Sequence, residues 1–165
     1  MGHKIFQTNA ELKDWLREQK SSIFFIPTMG GLHLGHQYLI QKTKEKNIKT
    51  KKIVLVSIFV NPLQFGKDED FKKYPRNIKR DAELAFNAGA DAIWAPDYDE
   101  VFPGGEDEHF KIQAPQALSN QLCGAARKGH FDGVATVIIR LIKIVKPEKL
   151  ILGEKDWQQL IIIRR

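Results

Sequence analysis

Two histidines three residues apart, His33 and His36, follow the stretch Pro27-Thr28-Met29-Gly30-Gly31. On a helical turn, residues three apart project to one side, so both imidazoles can address one ligand. Their ring N–H groups suit phosphate oxygens that gain charge as an α-phosphate is attacked, a form of electrostatic transition-state stabilisation. Gly30 and Gly31 let the chain turn sharply. The next helix would then offer free backbone N–H groups and its positive dipole end to an anion. Gly35 lets a flat ring or a sugar approach the backbone. Nearby phosphates would favour the protonated imidazole over the free form, whose pKa is about 6.5. Read alone, the pair could equally be helix-start histidines with no catalytic role. A zinc site would need about two further ligands, and Cys123, His130 and scattered carboxylates supply no recognised spacing. The loop is neither Gly-x-Gly-x-x-Gly nor a Walker loop.

A second cluster, Asn61 and Gln64, leaves the apolar run 53–60. An amide both donates and accepts, so it suits a substrate carrying hydroxyl and carboxylate groups. Alone, Asn61-Pro62 reads as a turn. The third cluster is Gly153-Glu154-Lys155-Asp156-Trp157-Gln158-Gln159. Lys155 could neutralise phosphate or hold a carboxylate, and Asp156 could bond ribose hydroxyls. An N-cap Asp beside a surface Lys is the plain alternative.

These clusters must be carried by strands and helices. Thr8 with Glu11 forms a capping box for a helix through about Gln19, with Leu12, Trp15 and Leu16 on its apolar face. The runs 23–26, 53–60, 92–95 and 150–152 predict buried strands, the first ended by Pro27. Helices are expected from Gly35, with Leu39 and Ile40 inward, over 76–88, over 133–146 and from about Asp156. Residues around Gly66 and Asp68, and 97–109, read as loops, 110–113 as a short strand, and Pro115 as the first turn of a short helix. Alternating strands and helices predict an α/β, Rossmann-like, doubly wound parallel sheet. Ligands of such sheets bind beyond the carboxyl ends of the strands, which is where all three clusters fall.

Composition sets the outer bounds. A chain of 165 residues suits one domain. Hydrophobic residues make up 42%, enough for a sizeable core. One cysteine, Cys123, excludes an intramolecular disulfide; a buried thiol in a reducing cytosol is the expectation. No apolar run at the start reads as a signal peptide, and none approaches the ~20 residues of a membrane span. The net charge of +6 is compatible with nucleic acid, a membrane surface or a small anion as ligand. The lysines between Lys42 and Lys52 read as a solvated helix end and turn. They lack the interleaved aromatics of a single-strand binding platform.

Together the motifs are specific. PTMGGLHLGH at 27–36, VSIFVNPLQF at 56–65, YPR at 74–76, GHFDGVATV at 129–137 and GEKDWQQL at 153–160 make the chain resemble the pantothenate synthetases, or pantoate–β-alanine ligases, over nearly its whole length. The resemblance implies a fold of the His-x-Gly-His nucleotidyltransferase type. It also implies a two-step reaction: pantoate attacks the α-phosphate of ATP, giving pantoyl adenylate and pyrophosphate. β-Alanine then gives pantothenate and AMP. By position, His33, His36 and Lys155 would be catalytic. Met29, Gly35, His36, Gly153, Lys155 and Asp156 would bind ATP, and Met29, Asn61, Gln64 and Gln159 would hold pantoate. Arg127 and Tyr74 are further candidates. Mg²⁺ would be held mainly by the phosphates, with no dedicated metal ligands in the chain. The family implies a cytoplasmic homodimer that needs neither nucleic acid nor membrane. It also has Arg-Pro-Gly-His-Phe where this sequence has Arg127-Lys128-Gly129-His130-Phe131. It continues past the position of Arg165 into a smaller lid domain with a Lys-Met-Ser-like stretch. Residues 1–165 are therefore expected to form the nucleotide- and pantoate-binding domain and, alone, to bind ATP weakly and turn over slowly. Two rivals remain: a nucleotidylyltransferase with another acceptor, and a basic binding domain without chemistry.

Overall fold

The structure, a computed structural model, describes residues 3–46, 52–66, 69 and 71–165. The lysines within 47–51 and Asp68 lie outside the described residues.

Five parallel strands form one sheet in the order β1-β4-β3-β2-β5. They are β1 (Lys4–Phe6), β2 (Ile23–Thr28), β3 (Ile53–Ile58), β4 (Ala92–Trp94) and β5 (Lys149–Leu150). The helices are α1 (Asn9–Glu18), α2 (Leu34–Lys46), α3 (Ile78–Asn87), α4 (Tyr98–Val101), α5 (Gln116–Ser119), α6 (Cys123–Ala126), α7 (His130–Val145) and α8 (Trp157–Arg164). Short 3-10 turns lie between, including Pro62–Gln64 and Glu154–Asp156.

Strand side chains alternate between faces, and the core divides accordingly. Phe25, Leu55, Ala92 and Trp94 join Leu12 and Trp15 of α1 and Val134, Val137, Ile138 and Leu141 of α7. Ile26, Val54, Val56 and Ile93 join Ile40 of α2 and Ala82 and Ala85 of α3. The sheet is thus covered on both faces, as its near-continuous apolar strands require. The capping box is present: Thr8 Oγ1 accepts from Glu11 N at 3.3 Å, and the Glu11 carboxylate accepts from Thr8 N at 3.2 Å.

Several expectations are corrected. Pro27 lies within β2 instead of ending it. The Phe25 carbonyl accepts from Ile151 N, so Pro27, two residues on, also faces the β5 side. There β5 has already ended, and no ladder bond is lost. Strand β3 stops at Ile58, α3 starts at Ile78, and the last strand covers Lys149–Leu150. β1, α4 and α6 lie where no element was expected. Residues 110–113 form no strand: Ile112 N bonds Thr136 Oγ1 at 2.9 Å, and Ala114 N bonds Asp132 Oδ1 at 2.8 Å. Side chains of α7 thus take the bonds a partner strand would have taken. Cys123 is exposed, not buried.

Candidate active site

Strand β2 lies between β3 and β5, so the segments leaving the carboxyl ends of these three strands meet. They enclose a cavity of about 220 Å³. After β2 come Met29, Gly30, Gly31, His33 and His36; after β3 come Phe59, Asn61 and Gln64; after β5 come Lys155, Asp156 and Gln159. Tyr74 closes one side, and Val134, Val137, Ile138 and Leu141 of α7 give an apolar wall. A larger hollow of about 680 Å³ lies at the amino ends of the strands, lined by Lys13, Arg17, Lys143 and Lys146. It holds none of the motif residues. Helices α1 and α7 end there, and cations at helix C-termini complement the dipole.

The loop between β2 and α2 is stapled from beneath. The Asp81 carboxylate, on α3 and 2% exposed, accepts from Gly31 N at 2.9 Å and Leu32 N at 2.8 Å. Thr28 Oγ1 accepts from Gly30 N at 3.2 Å and donates to the Ser57 carbonyl at 2.7 Å. Gly30 has φ +84°, and a Cβ there would lie 2.9 Å from Asp81 Oδ2, so glycine is needed both for conformation and for room. The free N–H groups expected at the start of the next helix are thus distinct from those of the loop itself. Gly30, Gly31 and Leu32 are already bonded internally, and so is Gly35. Among the described residues, Leu34 and His36 keep open N–H groups at the start of α2.

The histidines are held in one tautomer. His33 Nδ1 accepts from Gly35 N at 3.0 Å, and His36 Nδ1 accepts from His33 N at 3.3 Å. Each neutral ring therefore carries its proton on Nε2, a donor free for a ligand. The rings lie 4.1 Å apart between centroids. Burial, then the charges of His33 and Lys155, push the His36 pKa down to about 4, against Asp156 and Asp81. His36 is therefore neutral at pH 7 in this structure. The Lys155 ammonium rests on Asp156 at 3.0 Å.

The amide side is equally tied. Asn61, 1% exposed, donates Nδ2–H to the Gly133 carbonyl and to Gln64 Oε1, both at 3.1 Å. Gln64 Nε2 contacts Met29 Sδ at 2.8 Å. The Pro62–Gln64 turn presses on α7 so closely that a Cβ on Gly133 would fall 2.1 Å from the Leu63 carbonyl oxygen. Burial, then Asp81 and Asp156, push the Tyr74 phenol up, keeping it a neutral donor.

Nine of the expected residues line the one cavity: Met29, His33, His36, Asn61, Gln64, Tyr74, Lys155, Asp156 and Gln159. Gly35, Gly153 and Arg127 are outside its lining. Arg127 instead pairs with Glu69, its Nε and Nη2 at 2.5 and 2.7 Å from the carboxylate oxygens. Its Nη2 also donates to the Gln64 carbonyl at 3.3 Å, which His130 Nδ1 approaches at 2.7 Å. Arg127 and His130 thus grip the backbone of Gln64 from outside. Asp81 was not foreseen, because a lone Asp on an amphipathic helix carries no motif signal. The signal available was its phase, on the α3 face that bears Ala82 and Ala85.

A parallel α/β sheet with a His-x-Gly-His loop at the carboxyl end of a central strand defines the nucleotidyltransferase type of Rossmann-like fold. The family model described as pantoate-beta-alanine ligase matches residues 4–165, and the chain belongs to that family. It is 81% identical over 165 residues to a bifunctional pantoate ligase/cytidylate kinase of Prochlorococcus marinus strain NATL1A, covering 100% of this chain and 32% of that protein. It is 56% identical over 168 residues to the protein of that name from Prochlorococcus marinus strain SARG, again covering 32% of it. The chain thus spans about a third of the length of these relatives. Among solved structures, pantothenate synthetase from Thermus thermophilus superposes with a TM-score of 0.88 at 42% identity, covering 98% of this chain and 56% of that one. Pantoate-beta-alanine ligase from Francisella tularensis, complexed with beta-gamma ATP and beta-alanine, gives 0.89 at 35%, covering 99% and 61%.

Proposed function

We propose that this chain supplies the ATP- and pantoate-binding part of a pantoate–β-alanine ligase. The observation that carries the reading is the convergence of two imidazoles, an ammonium and three side-chain amides on one cavity with an apolar wall.

Pantoate carries a carboxylate, two hydroxyls and a pair of methyl groups. Gln64, Gln159 and Asn61 offer donors and acceptors for its polar groups, while Met29, Phe59 and the α7 wall take the methyls. A pantoate carboxylate oxygen then attacks the α-phosphorus of ATP, and pyrophosphate leaves. Nε2–H of His33 and His36 and the Lys155 ammonium face the oxygens that gain charge. A neutral His36 does this without first gaining a proton. Gly153 and Asp156 suit the ribose, and Gly35 leaves room for the nucleotide against α2. In the second step the amine of β-alanine attacks the acyl carbon, AMP leaves and the amine sheds a proton. No group of three or more His, Cys, Asp or Glu able to hold a metal occurs among the described residues. Mg²⁺ would arrive on the triphosphate, where it screens phosphate charge. Arg127 is assigned to holding Gln64, not to touching substrate.

The family resemblance further suggests a cytoplasmic homodimer, and slow turnover by residues 1–165 alone compared with the full-length protein. Pyrophosphate release by the full-length protein decides the reading. Release that requires both ATP and pantoate supports it. Release driven by another acceptor, with pantoate inert, refutes it in favour of a different nucleotidylyltransferase.

A further inference from the structure

Among the described residues Asp81 is the single ionisable side chain in the buried set, and no cation pairs with it. A buried carboxylate without a cation is costly unless its oxygens are well bonded. Both Asp81 oxygens are bonded, each to a loop N–H. Its side-chain hydrogen bonds go to the loop that carries His33 and His36, and its field reaches Tyr74 and His36 at the same site. Apolar packing of α3 would be served as well by an aliphatic residue at this position. The neighbouring groups are consistent with this role. Gly30 lacks the Cβ that would collide with Oδ2, so loop and carboxylate fit together as one unit.

We infer that Asp81 is a positioning residue for nucleotide binding: its carboxylate locks the Gly30–Leu32 backbone so that His33 and His36 present Nε2–H to the phosphates. The lock has a second consequence. It occupies the Gly31 and Leu32 N–H groups, so phosphate contact passes to the side chains of His33, His36 and Lys155 and to the open N–H groups of Leu34 and His36. The ligand part of this inference rests on the ATP-binding reading above; the lock itself does not.

The test uses the full-length protein carrying Asp81→Asn, which keeps size but can accept only one of the two N–H bonds. Hydrogen exchange read by mass spectrometry should speed about tenfold in the peptide covering 28–36, with strands β2 to β4 nearly unchanged, as expected for losing one charge-assisted bond. ATP affinity should fall about tenfold in parallel, with kcat falling more than the pantoate KM changes. Asp81→Glu, which keeps the charge on a longer arm, should show the same pattern in weaker form and serves if the Asn variant does not fold. Loosening spread evenly over the sheet, or a faster-exchanging loop with unchanged ATP affinity and kcat, overturns the positioning role. If the unsubstituted protein does not bind ATP, the functional reading fails, while the exchange pattern still decides the lock.

Discussion

His33 and His36 share one hydrogen-bonded motif: the backbone N–H of His33 donates to Nδ1 of His36 at 3.3 Å, and their rings lie 4.1 Å apart. The same residue that offers one imidazole to the cavity fixes the tautomer of the other. With the His33 ring itself held by Gly35 N–H, both Nε2–H groups are set by backbone before any ligand arrives. Such preorganisation is what makes donors effective toward developing charge.

Replacing His36 by Asn should slow pantoate-dependent adenylation by about 10²–10³-fold with a smaller change in substrate KM, in line with loss of one preorganised donor. Steady-state pyrophosphate release checks this. The residue also titrates unusually. Folding holds His36 neutral down to about 4, whereas the unfolded chain takes up the proton near 6.5. The unfolded state therefore binds more protons between these values, and stability is lost as pH falls through that window and levels off below it. Thermal melts from pH 7 to 4 should show a shallower slope for His36→Asn than for the parent.

Removing the ammonium with Lys155→Met should weaken ATP binding by about tenfold or more, as for a lost charge-assisted contact. It should also raise the His36 pKa, because the Lys155 charge is one of the influences lowering it. Histidine carbon-13 shifts followed over pH report that second effect; a His36 pKa that stays or falls would contradict the assigned electrostatics.

The Arg127–Glu69 pair should act on pantoate, not on ATP. It braces the Gln64 backbone, and the bonds from Arg127 hold the Glu69 carboxyl below its ordinary range. Glu69→Gln should raise the pantoate KM by several-fold to about tenfold and leave the ATP KM within about twofold, a loss of positioning in one subsite. The brace is intact above the ordinary glutamate pKa and is lost as pH falls through the lowered folded value.

Gly133→Ala should be severe. The new methyl would meet the Leu63 carbonyl oxygen at 2.1 Å, so either α7 or the Pro62–Gln64 turn must shift. A destabilisation of about 3 kcal/mol or more is expected from such overpacking. Gly153→Ala, where a Cβ meets nothing within 4 Å, should change stability by less than about 1 kcal/mol. Chemical denaturation of both variants compares them directly.

The parts of the fold that could be read in advance are those where pattern and burial agree. Strands β2, β3 and β4 are short, nearly all apolar runs buried on both faces, and Thr8 with Glu11 announces α1. What escaped notice lacks such a signature. β1 buries only Phe6 of its three residues, so its alternation is too short to register. Helices α4 and α6 have four residues each, below the length at which local sequence sustains a helix, and are held by tertiary contacts. Residues 110–113 have strand-like side chains, but the hydroxyl of Thr136 and carboxylate of Asp132 claim the nearby N–H groups. At the site, motif order placed the polar residues together, yet it could not show that Arg127 faces Glu69. Nor could it show that a helix from the far side of the loop supplies the carboxylate beneath it.

The two-residue strand β5 carries a consequence for how the site accepts its ligand. His33, His36, Asn61 and Gln64 hang from six-residue strands at the centre of the sheet, whereas Lys155, Asp156 and Gln159 follow an edge strand paired at two positions, Phe24↔Lys149 and Phe25↔Leu150. One jaw hangs from strands paired to each other at six positions, the other from a strand paired at two. A triphosphate bridging His36 and Lys155 would act as a rivet, fastening the sheet's weakest margin to its middle. Part of its binding energy would go into stiffening that margin, and the margin would slacken again when the nucleotide leaves.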